Sequence, residues 1–184
     1  MKYMLKRARP DILVGISFLS TRVLKSNEED WKKLVRLVSY PKNTAEVVLC
    51  LEADYIQELK WYVDVSFGTH NDMKSHTGSI FKLGNGAIWN DSTKQKVNTR
   101  SLTEAELISI NNKISKILWM KRFIESKGFE IDLNILYQDN MSTINLAENG
   151  KHSSGKRTRH FDIKYFYIAD LINQKENTVQ AMTC

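Results

Sequence analysis

The spacing of hydrophobic residues changes near residue 59, where a helical period is replaced by the alternation of β-strands. Ser26 and Glu29 have the spacing of a capping box, which marks the start of a helix. The apolar residues behind them follow at helical intervals: Trp31, Leu34, Val35 and Val38. Pro41 is expected to end this helix, and the apolar run 47–51 predicts a short strand.

The later part of the chain alternates strands and helices. Along the first strand, apolar and polar residues point in opposite directions: Leu59, Trp61, Val63 and Val65 on one side, and Lys60, Tyr62 and Asp64 on the other. Residues 76–83 and 87–89 predict two further strands joined by the turn 84–86. A fourth strand is predicted at 131–137, and a fifth at 178–184.

The longest predicted helix begins at Ser101 or Thr103, because each of them has a glutamate three positions later. Its apolar stripe is typical of a helix packed on a sheet: Leu107, Ile110, Ile114, Ile117 and Ile124. Gly128 is expected to stop it, and two shorter helices follow the fourth strand. The predicted fold class is therefore α/β, a mixed five-stranded sheet with helices packed on it, preceded by a helical N-terminal extension.

Composition places the chain among ordinary globular proteins. Hydrophobic residues make up 42% and charged residues 26% of the sequence, which argues against disorder. No stretch approaches the roughly 20 apolar residues that a membrane span needs, so no membrane partner is expected. Two cysteines are too few for a disulfide framework and match no zinc spacing, which favours a reducing, intracellular setting.

The net charge of +6 is informative mainly through its distribution. The segment 151–159 contains no acid and four basic residues: Lys151, Lys156, Arg157 and Arg159. A solvated loop and a phosphate-binding loop explain this composition equally well. Three tryptophans, Trp61, Trp89 and Trp119, are expected to pack in the core rather than to stack on bases, with Trp119 facing the sheet.

Three acids occupy positions from which secondary structure can project them together. Asp64 lies on the polar side of the first strand, Glu106 in the first turns of the long helix, and Asp139 just after the fourth strand. Converging carboxylates need a cation, and Mg²⁺ prefers oxygen ligands. Each acid also has an ordinary explanation, as a surface strand residue, a helix-start acid favoured by the dipole, or a turn former. The pattern alone leaves their convergence open.

Five segments, in order, resemble the signatures of copia-type RNase H domains from retrotransposon Pol polyproteins. They are WYVDVSFG at 61–68, SHTGSIF at 75–81, NTRSLTEAEL at 98–107, YQDNMSTI at 137–144 and KRTRHFDIKY at 156–165. Residues 8–12, ARPDI, resemble the segment that follows the reverse-transcriptase core of such polyproteins. The resemblance implies an RNase H-like fold and an origin in a longer polyprotein.

By this resemblance, Asp64, Glu106 and Asp139 are the first three carboxylates of a site for two Mg²⁺ or Mn²⁺ ions that cuts the RNA strand of RNA–DNA hybrid. Glu106 is preferred to Glu104 because its Ala-Glu-Leu context matches. The order Asp, Glu, Asp argues against an integrase, whose glutamate comes last. No further small-molecule cofactor and no reverse-transcriptase activity are implied. The expected location is a cytoplasmic particle or the nucleus.

The family's fourth carboxylate lies on a helix after the fifth strand. We therefore expect the chain to comprise a helical remnant of the reverse-transcriptase or connection region at 1–45 and an RNase H-like domain at 46–184 that lacks its last helix. Loss of one ligand is expected to weaken the second metal most, and so to impair activity. Asp162 is expected to start or cap a helix rather than to replace the missing ligand.

An RNA–DNA hybrid is recognised mainly through its backbone and shape. The candidate contacts lie in two basic segments and at one helix start: Lys94, Lys96, Arg100, Asn140, Ser142, Lys156, Arg157, Arg159 and His160. Solubility explains each lysine equally well, and a surface role explains His152 and His160 better than proton transfer does. Two alternative functions are a non-catalytic nucleic-acid-binding remnant and a protein-interaction domain that uses an uncovered sheet edge.

Overall fold

The computed structural model describes residues 8–52, 57–149, 162–174 and 178–181. The helices are α1 (Leu13–Ser20), α2 (Glu28–Asn43), α3 (Leu102–Glu125), α4 (Met141–Asn149) and α5 (Asp162–Asn173). The strands are β1 (Glu58–Ser66), β2 (His76–Leu83), β3 (Gly86–Lys94), β4 (Leu133–Gln138) and β5 (Thr178–Ala181). No helix in these ranges is both long and apolar enough to cross a membrane.

The strands form one mixed sheet in the order β3-β2-β1-β4-β5. The first three strands pair as an antiparallel meander, whereas β4 runs parallel to β1 and β5 runs parallel to β4. Parallel neighbours need a crossover, and α3 lies in the connection between β3 and β4. The predicted mixed α/β class is confirmed.

The core lies between the sheet and α3. The side chains predicted for one side of β1 are buried, with Leu59, Trp61 and Val63 at 0% exposure. They share one hydrophobic cluster with the stripe of α3, including Ile110 and Ile114. Ser101 caps α3 by accepting a hydrogen bond from the backbone N–H of Glu104 at 3.2 Å. Capping and the apolar stripe therefore fix where this helix begins and which face it buries.

The capping box predicted before α2 is wrong by one residue. Asn27 caps the helix, and its partner is Asp30: the Asn27 side chain accepts from the Asp30 N–H and the Asp30 side chain accepts from the Asn27 N–H. Asp30 also accepts a hydrogen bond from Arg22 at 2.6 Å, a tertiary contact that favours this register. Pro41 lies inside the helix, which ends at Asn43, so the proline disturbs only the last turn.

The strand predicted at 47–51 is also wrong. These residues form no strand, and Val48 is 73% exposed. The segment instead lies against the turn between β2 and β3, where the Glu52 carbonyl accepts from the Asn85 N–H at 3.2 Å. The Glu52 carboxylate also accepts from the Asn85 side-chain amide at 3.0 Å. Hydrophobicity predicted a strand here, but the segment has no strand partner among the described residues.

The predicted core placement holds for Trp61 and Trp89 but not for Trp119. Trp61 is fully buried and Trp89 packs against the core cluster. Trp119 is 51% exposed, and its ring stacks on Phe123 rather than on the sheet. Leu118, its neighbour in sequence, takes the inward position of α3. Because adjacent helical residues point about 100° apart, Trp119 is directed toward solvent.

Candidate metal centre

Parallel pairing of β1 with β4 places two of the three candidate acids next to each other. Tyr62 lies opposite Tyr137 in this pairing, so Asp64 and Asp139 each follow two residues further along neighbouring strands. The carboxyl ends of parallel strands meet at one edge of a sheet, where ligands commonly bind. Glu106 arrives from α3, in the second turn after its Ser101 cap. Strand register and helix start thus direct three acids to one point.

The three carboxylates converge, which the sequence pattern had left open. Asp64, Glu106 and Asp139 each offer an oxygen, and these oxygens lie within 4.8 Å of one another. Asp64 and Asp139 are exposed, whereas Glu106 is 1% exposed. Asp64 Oδ1 accepts a hydrogen bond from the Val65 N–H at 2.7 Å, which fixes the orientation of this carboxylate. The cluster therefore has one buried acid and two acids open to solvent.

Burial raises the pKa of Glu106 to about 7. A hydrogen bond from the Gln138 side-chain amide opposes this shift, and the negative charges of Asp139 and Asp64 add to it. The desolvated carboxylate is costly because water no longer solvates its charge. Both charges that act on it are also negative, so the site favours an added cation.

Gln138 is a site residue that sequence reasoning missed. Its side chain is fully buried, and its Nε2 donates to Glu106 Oε2. Its Oε1 atom has no hydrogen-bond partner among the described residues. The sequence contained a signal for this role. Gln138 directly precedes Asp139, and it follows the buried Leu136 by two positions, so both side chains lie on the same side of the strand.

The donor set fits a hard divalent cation. All three candidate ligands are carboxylate oxygens, which Mg²⁺ and Mn²⁺ prefer over the nitrogen and sulfur ligands typical of zinc. The exposure of Asp64 and Asp139 leaves room for the water ligands that Mg²⁺ retains. Asp162, weighed as a further ligand, is the first residue of α5 and so starts a helix, as predicted.

The basic candidates before α3 are only partly available for phosphate. Lys94 and Lys96 line one groove of about 460 Å³ beside Lys113. Lys94 is already paired with Asp72, at 2.8 Å from its carboxylate. Lys96 and Arg100 are exposed. The structure thus places Lys94 and Lys96 in one groove. The ammonium of Lys96 is more accessible to a phosphate than that of Lys94.

The helix start after Asp139 has a capping role. Asn140 Oδ1 accepts hydrogen bonds from the N–H groups of Ser142 and Thr143, at 3.0 and 3.2 Å. The Ser142 N–H is therefore occupied by the cap, and the hydroxyl is the donor that Ser142 can still offer. The remaining nucleic-acid candidates lie outside the described residues: Lys156, Arg157, Arg159 and His160, as do Lys151 and His152.

A buried histidine pair was also missed. His70 Nε2 and His76 Nδ1 lie 2.9 Å apart, so one of them carries a proton and donates it to the other. His76 Nε2 lies 2.7 Å from the Ser92 hydroxyl, which completes a hydrogen-bonded chain. Burial lowers the pKa of both histidines. The His70 ring also stacks on Phe18 of α1, with centroids 5.5 Å apart.

The five-stranded mixed sheet thus carries two of its acids at or near the carboxyl ends of two adjacent parallel strands. Among solved structures, LC11-RNase H1 isolated from compost aligns with 14% identity and a TM-score of 0.47, covering 70% of this chain and 84% of that one. A complex of LC11-RNase H1 with RNA/DNA hybrid aligns with 10% identity and a TM-score of 0.47, covering 68% of this chain and 85% of that one. The PFV RNase H domain aligns with 14% identity and a TM-score of 0.47, over 68% of this chain and 79% of that one.

Several curated relatives are retrotransposon polyproteins. The Pol polyprotein of transposon TNT 1-94 from Nicotiana tabacum is 30% identical over 95% of this chain and 13% of its own length. Those of transposons RE1 and RE2 from Arabidopsis thaliana are 30% and 28% identical over 89% of this chain and 11% of theirs. No protein-family model matches. These homologues are copia-type retrotransposon Pol polyproteins, and the chain spans 11–13% of their length.

Proposed function

We propose that this domain hydrolyses the RNA strand of RNA–DNA hybrid, using divalent cations held by Asp64, Glu106 and Asp139, during retrotransposon reverse transcription. The observation that carries the proposal is the convergence of three carboxylates within 4.8 Å. Its homology to Pol polyproteins supplies a context in which RNA–DNA hybrids arise. Mg²⁺ is the favoured ion and Mn²⁺ the alternative.

The exposed and the buried residues of the site have different roles in this proposal. Asp64 and Asp139 present oxygens on the solvent side, where a phosphodiester can approach. Glu106 lies beneath them and contributes its charge from a buried position, with Gln138 orienting its carboxylate. Bound divalent cations supply the activation of water and the stabilisation of the leaving oxygen. Because Glu106 must be ionised to bind a cation, we expect binding to release a proton at neutral pH or below.

Lys94 and Lys96 support the choice of a nucleic acid as substrate. They lie in one groove with Lys113, at the end of β3. Lys94 and Lys113 are paired with Asp72 and Asp91, so Lys96 supplies the accessible positive charge. Such a charge suits a hybrid duplex, because duplexes with A-like geometry are bound through phosphates and 2′-hydroxyls rather than base edges. We expect this groove to position the duplex and the acids to act on it.

The decisive experiment incubates the purified protein with labelled RNA–DNA hybrid and Mg²⁺ or Mn²⁺. Wild type should cleave only the RNA strand, and chelation by EDTA should stop the reaction. The variant Asp64→Asn/Asp139→Asn should be inactive. Asp132→Asn is a matched control, since Asp132 is an exposed acid just before the opposite end of β4.

The proposal fails if wild type and Asp64→Asn/Asp139→Asn release product at the same rate. Salt-sensitive binding of hybrid without cleavage in either metal would also overturn it, in favour of a non-catalytic nucleic-acid-binding remnant. Single-stranded and double-stranded RNA serve as specificity controls, because a general ribonuclease would cleave them as well.

A further inference from the structure

Two exposed aromatic rings flanked by two lysines line the outer side of α3 and the turn that follows it. We call this surface the aromatic stripe, defined by Lys116, Trp119, Phe123 and Lys127. The two rings stack with centroids 5.2 Å apart and planes 12° apart. Lys116 Nζ lies 4.2 Å from the Trp119 ring, and Lys127 Nζ lies 5.5 Å from the Phe123 ring. The order along the chain is thus ammonium, ring, ring, ammonium, with the last ammonium just after the end of α3.

Core packing does not explain the aromatic stripe. The apolar side of α3 is directed inward, where Ile110, Ile114 and Ile117 are buried. Trp119 and Phe123 point away from that side and are 51% and 45% exposed. Two adjacent large rings that stay half exposed forfeit part of the stabilisation that full burial would give them. The exposed pair is therefore a surface suited to a ligand.

The charge on this surface is positive. Within the described part of the chain, neither Lys116 nor Lys127 is paired with a carboxylate; each ammonium lies over an aromatic ring. The nearby acid Glu125 lies 4.0 Å from Lys121, on the same helix. Lysine stems are flexible, so each ammonium can move from its ring to a phosphate.

We propose that the aromatic stripe binds single-stranded nucleic acid, RNA or DNA, by stacking bases on Trp119 and Phe123 and pairing phosphates with Lys116 and Lys127. Exposed aromatic rings beside basic residues are the features with which proteins bind single strands, because every base has a face that can stack. A duplex offers no unstacked base, so it gains only the charge contacts. The specific ligand is therefore a single strand.

The aromatic stripe is separate from the candidate metal centre. Glu106 and Trp119 lie on the same helix, thirteen residues apart. At the rise of an α-helix this separation is about 20 Å. Single-strand binding at the stripe and cleavage at the acids are thus expected to be independently removable, so the two proposals can fail separately.

The test measures anisotropy of labelled oligo(dT) and oligo(U) with the full chain, in EDTA so that no cleavage occurs. Trp119→Ala/Phe123→Ala should weaken binding about tenfold or more. Trp31→Ala is the matched control, since Trp31 is also an exposed tryptophan, at 66%, but lies on α2. Lys116→Ala/Lys127→Ala should reduce the salt dependence of binding, lowering the magnitude of the slope of log K against log salt by about 1.4.

Three results would overturn the proposal: unchanged affinity in Trp119→Ala/Phe123→Ala, an equal loss in Trp31→Ala, or an equal loss of affinity for a blunt duplex in Trp119→Ala/Phe123→Ala. Circular dichroism verifies that each variant is folded, and the conservative variant Trp119→Phe should retain binding. Comparison of oligo(dT) with oligo(U) decides whether DNA or RNA is preferred.

Discussion

Two clusters of titratable groups, one with a single buried acid and one with two buried histidines, differ in how their charges are compensated. In the acid cluster, Glu106 is buried beside two further carboxylates, and their like charges together with burial raise its pKa to about 7. In the histidine chain, His70, His76 and Ser92 satisfy one another by hydrogen bonds, and burial lowers the pKa of both rings. One cluster needs an external partner, and the other is complete.

This difference indicates a functional role for the acid cluster and a structural role for the histidine chain. A protein gains nothing for stability by gathering unpaired like charges, so such a cluster points to a bound cation. The histidine chain instead joins β2 and β3 through His76 and Ser92, and reaches α1 through the stacking of His70 on Phe18. We interpret it as a structural link between the N-terminal segment and the sheet.

The largest effect is expected for the acids. Asp64→Asn/Asp139→Asn should lower the rate of hybrid cleavage by about 10²–10³-fold or more. The same change should leave stability without metal unchanged or higher, because repulsion with Glu106 is relieved. Saturating Mg²⁺ should raise the Tm of wild type but not that of the variant. Thermal melts with and without Mg²⁺ check this, and an equal Mg²⁺ shift in both proteins would contradict it.

The pH dependence of metal-free stability should come next in size. The Glu106 pKa is about 7 in the folded chain and has an ordinary value of 4.5. The folded carboxyl therefore holds its proton where the unfolded one has lost it, so stability falls as pH rises from about 4.5 to 7, by up to about 3 kcal/mol. Glu106→Gln should remove this decline. Urea unfolding in EDTA across this range measures it, and a parallel decline in the variant would contradict the assignment.

The histidine chain should respond with the opposite sign. Burial lowers both histidine pKa values below the ordinary 6.5, so the folded state favours the neutral rings. Their contribution is present above pH 6.5 and is lost as pH falls through the lowered values, since unfolded histidine then binds protons first. His76→Ala should also cost about 2 kcal/mol at neutral pH, by leaving His70 and Ser92 without this partner. Urea unfolding measures both effects, and a change below about 0.5 kcal/mol would contradict a structural role.

The smallest effect is expected at Gln138. Gln138→Leu removes the hydrogen bond that opposes the raised pKa of Glu106. The Mg²⁺ concentration for half-maximal cleavage should therefore rise about tenfold, as for other residues that orient metal ligands. Gln138→Glu adds a further negative charge and serves as the comparison. Cleavage rates titrated with Mg²⁺ check this, and an unchanged midpoint in Gln138→Leu would show that Glu106 needs no such support.

Much of the fold was encoded locally. Alternation along β1 correctly separated the buried side of Leu59, Trp61 and Val63 from the side that bears Asp64. The buried apolar side of α3 and its Ser101 cap were also predicted from the sequence. These features repeat with the period of a strand or a helix, so a short window of sequence contains them. The three acids were identified by the resemblance of their segments to a known family, because no single stretch of sequence shows that they converge.

Only the tertiary structure decided which of these residues meet. The parallel register of β1 and β4 brings Asp64 beside Asp139, although 75 positions separate them along the chain. The same long-range packing buries Glu106 and joins His70 to His76, and it leaves Trp119 in solvent. Local hydrophobicity predicts which side of an element prefers burial. It contains no information about the neighbour that covers that side, and the chemistry of this protein depends on those neighbours.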